Sequence, residues 1–140
     1  MCDAIELAKY IVSKCIDDDK PISNLQLQKI LFYIQKDFIK RGKLAFPDDI
    51  EAWQFGPVVP DVYYHYCGHG ATPIFYKYEE TNVELNDKNR IDSIIEDKRE
   101  LNPWEMVQET HKSGGAWDII YKDGQGNRNI IPTDLIKNLG

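Results

Sequence analysis

"SNLQLQKILFYIQKDFIKRG", residues 23–42, is the stretch on which the fold turns. Ser23, followed three positions later by Gln26, spells a capping box: the hydroxyl accepts from the Gln26 N–H while the carboxamide reaches back to the cap. The spacing predicts a helix from there to about Lys40, stopped by Gly42, because glycine alone enters the left-handed conformation at no steric cost. At about 100° per residue, Leu27, Ile30, Leu31, Ile34 and Phe38 form one apolar face, and Leu25, Phe32 and Ile39 form a second, roughly opposite. A helix apolar on two sides either runs through the centre of a fold or is covered by a partner. Lys29, Lys36 and Lys40 share the remaining stripe, which reads as a solvated face.

Working towards the N-terminus, Ala4, Ile5, Leu7, Ala8, Ile11, Val12, Cys15 and Ile16 fall on one side of a first amphipathic helix. "DDDKP" ends it, since acids at a helix C-terminus oppose the macrodipole and Pro21 cannot continue the ladder. Working the other way, the period changes beyond Pro47. "IEAWQFG" sets Ile50, Ala52 and Gln54 against Glu51, Trp53 and Phe55, as a short strand does, and Gly56-Pro57 is expected to break it. Pro60 then starts a third helix, ended by Gly68 and Gly70. Residues 74–85 alternate weakly enough to suggest a strand pair, and Asn86 is expected to cap a polar helix anchored by Ile91, Ile94 and Ile95. In "LNPWEM", Asn102 caps, Pro103 takes the first helical position and Glu105 completes the box, for a helix to about Lys112. "SGGAWDIIY" restarts after its glycine pair, "KDGQGNRN" is a turn-rich loop, and "IIPTDLIKNL" closes as a short helix. With 140 residues and 42% hydrophobic content, the expectation is one domain over 1–140, mainly α (α+β): a compact helical domain with a small two- or three-stranded sheet.

The net charge of −6 weighs against non-specific nucleic-acid binding, which draws on cationic side chains to release counterions from phosphate. No run of apolar residues approaches a membrane span, and "MCDAIELAKY" has acids where a signal peptide has a basic region, so the expected location is the cytoplasm. Cys2, Cys15 and Cys67 are odd in number and form no C-x-x-C, which favours reduced thiols. The most tempting chemical motif is His65-x-Cys67-x-His69. On a strand the three would share a face, but on a helix Cys67 points away from the two histidines, and two surface histidines with a half-buried thiol is the simpler reading. A Cys67 nucleophile with His111 or His69 as base finds nothing nearby to lower the thiol pKa. No glycine loop has phosphate-cradling spacing. The expectation is therefore a protein with no catalytic residues, no cofactor and no metal. "DDDKPIS" before "NLQLQKILFY" has the outline of a helix-turn-helix entry, yet a recognition helix needs a polar face for base edges and this one carries two apolar faces.

"NLQLQKILFYIQ", "IEAWQFGPVVPDVY" and "THKSGGAW" together resemble the Panacea domain, the SocA-like antitoxin family also described as phage-associated GepA-like proteins. That family's pattern runs as a Leu-Gln-Lys-Leu-type helix, a Glu-Ala-Trp-x-x-Gly-Pro-Val-x-Pro-x-Val-Tyr segment, and a Thr-His before a Trp. Trp53, Gly56, Pro57, Val58, Pro60, Val62 and Tyr63 match in order and spacing, while Ser113-Gly114-Gly115-Ala116 replaces the usual acidic or polar spacer. The resemblance implies a small cytosolic antitoxin that neutralises a cognate protein toxin by direct binding. Trp53, Gly56, Pro57, Val58, Pro60, His111 and Trp117 are its scaffold. Phe55 is expected in the core beside Trp53. Tyr63, Tyr64 and Tyr66, which cannot all point inward on a short helix, are the candidate partner-binding residues together with Lys29 and Lys36. The competing readings are a DNA-binding phage or plasmid regulator and a metal-dependent enzyme on the His65, Cys67, His69 cluster.

Overall fold

The structure is a computed structural model and describes residues 2–78 and 85–140. It is mainly helical with one small sheet, as the sequence suggests. In chain order the elements are α1 (Ala4–Asp17), α2 (Asn24–Lys40), β1 (Glu51–Trp53), β2 (Gly56–Val58), α3 (Pro60–Tyr66), α4 (Leu85–Lys98), α5 (Pro103–Thr110), α6 (Ala116–Tyr121) and α7 (Thr133–Leu139). Single 3-10 turns follow α3 and α6.

The capping box of α2 forms: Gln26 N–H donates to Ser23 Oγ at 3.3 Å, and Ser23 N–H donates to Gln26 Oε1 at 3.0 Å. At the other end Gly42 takes φ +82°, its N–H donates to Ile39 O, and Lys43 N–H donates to Phe38 O, the paired bonds of a Schellman motif. The end of α1 uses the same device with Asp19 at φ +59°. Two of its acids are not left to oppose the dipole, because Arg99 and Lys14 bind Asp18, at 2.7 and 3.0 Å, and Lys77 pairs with Asp17 at 2.6 Å.

Both apolar faces of α2 are buried, because the helix runs through the middle of the fold. It packs against α1, α3, α4, α5, α7 and β2. Leu27, Ile30, Leu31, Ile34 and Phe38 meet one set of neighbours, and Phe32 and Ile39 are buried on the other side. Only Leu25, in the first turn, is partly open. Polar side chains on the helix are used structurally: Gln35 donates to Phe46 O and accepts from Ala45 N–H, both at 2.8 Å, which pins the loop after α2.

Gly56-Pro57 does not break the sheet. It begins the return strand of a hairpin in which Glu51 faces Val58, Ala52 faces Pro57 and Trp53 faces Gly56. A proline fits there because, among the described residues, this short strand has no further strand on its other side to receive an N–H. The loop after α6 comes back along the free edge of β1: Arg128 N–H donates to Ala52 O, Ala52 N–H to Asn129 O, and Ile131 N–H to Ile50 O. Elsewhere the expected bounds shift. Residues 74–78 form no strand, being tied instead to α1 and its following loop through Tyr78 N–H on Ser13 Oγ and Ile74 N–H on Ile22 O, while residues 79–84 of the expected pair lie outside the described residues. Helix α4 opens at Leu85, so Asn86 stands inside its first turn, and α5 ends at Thr110. Among the described residues, no helix is long and apolar enough to cross a membrane.

Candidate functional site

One edge of α2 holds the hairpin and α3 by polar contacts at successive turns. Asn24 Nδ2 donates to the Tyr63 carbonyl at 3.1 Å. Gln28 Nε2 donates to Asn24 Oδ1 at 3.0 Å, and Gln28 Oε1 accepts from Val59 N–H at 2.9 Å. Lys29 Nζ donates to the Pro57 carbonyl at 3.0 Å. Residues 57–63 are extended or at a helix start, and their backbone groups need partners that a two-stranded sheet does not supply. The helix supplies them.

Lys29 is thus 0% exposed, which corrects the solvated stripe expected from the helical wheel. The stripe faces solvent only at its far end, since Lys36 is half-buried and Lys40 exposed. Among the described residues no carboxylate pairs with Lys29, and burial alone pulls its pKa down to about 7. Gly56 makes this approach possible. At φ +116° it adopts a backbone that other residues avoid, and a Cβ there would sit 2.8 Å from Lys29 Nζ and 3.0 Å from Thr110 Oγ1.

Behind the hairpin lies an aromatic stack. His111 lies flat on Trp117 with centroids 3.6 Å apart, and Trp117 lies on Tyr121 at 4.6 Å. Trp117 Nε1 donates to the Trp53 carbonyl at 2.8 Å, which locks the stack to the end of β1. The His111 pKa is lowered, first by burial and then by the nearby Lys29 charge, with the Phe55 backbone acting in the opposite sense. Its Nε2 is buried without a partner among the described residues. The scaffold residues expected from the sequence therefore meet in one place: Trp53, Gly56 and Pro57 from the hairpin, and His111 and Trp117 from the C-terminal helices. Val58 is buried alongside them and Pro60 opens α3 at its first position.

In front of the hairpin is a groove of about 600 Å³. Trp53, Phe55, Tyr63 and Tyr121 form its walls, with Leu25 and Arg128 at its margins. Trp53, Tyr63 and Tyr64 pack mutually edge-on or tilted, with centroids 5.0 to 5.9 Å apart. Trp53 Nε1 is held by Glu51 at 2.9 Å. Phe55, expected in the core, is instead 60% exposed. The reason is the hairpin: Gln54 and Phe55 form its two-residue tip, and a tip points away from the pair it closes. Of the three tyrosines, Tyr64 is 52% exposed and Tyr63 half-buried, but Tyr66 is 1% exposed and its hydroxyl donates to Tyr78 Oη at 3.0 Å. Tyr66 and Lys29 are thus interior, and neither offers a surface to a partner. Lys36 lines a separate hollow with Tyr33, Glu109 and Lys112.

Asn24, Gln28 and Arg128 escaped the sequence reading. The first two left a signal, polar side chains one turn apart between the two apolar faces of α2. Arg128 left none. His65, Cys67 and His69 do not converge: His65 Nε2 is 3.4 Å from Tyr78 Oη, and the Cys67 thiol donates to the Tyr64 carbonyl. Among the described residues no group of three or more His, Cys, Asp or Glu side chains is placed to hold a metal ion.

A central helix pinned to a hairpin, with an aromatic groove beside the hairpin tip, defines a mainly helical scaffold with an apolar hollow open at its surface. The family model for the antitoxin SocA-like Panacea domain matches residues 27–118, well over half of the chain, and the chain belongs to that family. Antitoxin SocA of Caulobacter vibrioides (strain NA1000 / CB15N) is 28% identical over 131 residues, covering 84% of this chain and 70% of that protein. No solved structure matches the chain.

Proposed function

We propose that this protein is a cytoplasmic antitoxin that neutralises a cognate protein toxin by direct binding, with the groove and the hairpin tip as its contact surface. Membership of the SocA-like family supports the antitoxin role. The observation that carries the contact surface is Phe55. A phenylalanine 60% exposed, on a hairpin pinned by Lys29, Gln28 and Trp117, presents apolar area that is already fixed in place. Burying the exposed part of such a ring in a complex stabilises by about 1–2 kcal/mol, and an aromatic side chain loses little entropy because it has only two rotatable bonds. The role asks for no chemistry of the protein's own. A helix-turn-helix reading would need α2 as recognition helix, and α2 is the most enclosed helix of the fold.

The test is a screen of genomic fragments from the source organism for clones that are lethal alone and viable when this protein is co-expressed. The expected result is a protein-coding clone whose product co-purifies with this chain. Rescue without co-purification would remove direct binding, and rescue of no clone would remove the antitoxin reading.

A further inference from the structure

The groove's charge narrows what it receives, given the antitoxin reading above. The chain has 23 Asp and Glu residues, yet among the described residues none lines the groove. Among the described residues its one charged lining residue is Arg128. The other arginines are paired, Arg41 and Arg90 with Asp37 and Arg99 with Asp18, whereas among the described residues no carboxylate pairs with Arg128. Its guanidinium lies over the Trp53 ring, 4.4 Å from the centroid, and donates to Tyr64 Oη at 3.1 Å. These contacts orient the fork and leave its remaining donors unsatisfied by any anion. The backbone reinforces the placement: Arg128 has φ +70° and its N–H is bonded to the Ala52 carbonyl, so the residue is held against the hairpin in a conformation that favours glycine. The first turn of α2, which contributes Asn24 and Leu25 to the groove, contains no acid and adds the positive end of a 17-residue helix.

We propose that the groove binds a segment of the toxin in which an apolar side chain sits close to an Asp or Glu, the apolar group between Trp53, Phe55 and Tyr63 and the carboxylate on Arg128. A single guanidinium among apolar walls suits one carboxylate. A phosphate dianion would bring more charge than this site balances.

The experiment selects a displayed library of random peptides, about twelve residues long, on the wild-type protein. Enriched peptides are expected to carry Asp or Glu at a fixed spacing from a large apolar residue and to bind less well as salt rises. Their affinity should fall about tenfold in Arg128→Glu and in Arg128→Gly. Arg128→Gly is the folding control, because glycine accepts the left-handed backbone and should keep the wild-type melting temperature. No enrichment, enrichment without an acidic position, or unchanged affinity in both variants would overturn the proposal. Rescue of the lethal clone separates the two ideas. Equal rescue by wild type and both Arg128 variants removes only the acidic-segment proposal, whereas failure of the wild type to rescue any clone removes the antitoxin reading beneath it.

Discussion

Lys29 is held in the interior by one hydrogen bond, to the Pro57 carbonyl, with Gly56 and Thr110 closing over it. Its pKa falls from 10.5 to about 7 because burial disfavours the ammonium. Above the unfolded pKa both states are neutral and nothing is lost. As pH drops towards the folded pKa the unfolded chain takes up a proton first, and stability falls. The protein should therefore gain about 1–2 kcal/mol on going from about pH 7 to about pH 9, a gain that Lys29→Met lacks. Chemical denaturation of both proteins across that range checks it; parallel curves would mean that the amine titrates normally. Gly56 carries the complementary constraint. Gly56→Val adds a β-branched side chain at φ +116°, against Lys29 Nζ and Thr110 Oγ1, and should cost about 1–3 kcal/mol by strain. An unchanged denaturation midpoint would show that the hairpin corner tolerates other backbones.

Among the elements, α2 does two jobs on one cylinder: apolar residues on opposite sides hold the bundle, and the Asn24, Gln28, Lys29 edge holds the hairpin and α3. Phe32 belongs to the first job. It is buried, so Phe32→Ser should destabilise the free protein by about 2–5 kcal/mol and lose binding only in proportion to folding. A melting temperature equal to the parent's, with the partner lost, would instead make that face a contact surface. The Ser23 capping box, the Asn102 N-cap, the Gly42 stop and the helix-starting prolines Pro60 and Pro103 were legible because each is settled between residues a few positions apart, although Glu105 meets the Asn102 side chain and not its backbone N–H. The hairpin was half legible. The alternation of residues 50–55 marked β1, but the partner strand was hidden by Gly56-Pro57, which normally ends strands and here begins one.

At the scale of the molecule, the exposed aromatic surface is separable from the core that supports it. Phe55→Ser removes a side chain that faces solvent and should melt like the parent, whereas Tyr64→Ala gives up packing on Trp53 and Tyr63 worth about 1 kcal/mol. In each the complex should weaken by up to about 2 kcal/mol beyond any loss of stability, roughly thirtyfold in dissociation constant. Titration against the co-purified toxin, alongside rescue at graded expression, measures both. If neither variant binds more weakly, the contact surface lies elsewhere, and the hollow beside Lys36 becomes the next place to look.

By itself, the sequence determined the helices, most of their ends and the two apolar faces of α2, because periodicity and capping act within a few turns of chain. Which side chains are interior and which face solvent was decided elsewhere. Lys29 looks solvated on a wheel drawn for α2 alone, and becomes buried only because the Pro57 carbonyl, 28 residues away, is folded over it. Phe55 looks like core beside Trp53, just ahead of a Gly-Pro pair, and is exposed because it forms the tip at which the chain turns back. Arg128 reaches Tyr64 across 64 positions of sequence, through a loop whose composition says only that it turns. Burial and charge environment are properties of what packs against a residue, and that neighbour is set by tertiary contacts that no local pattern encodes.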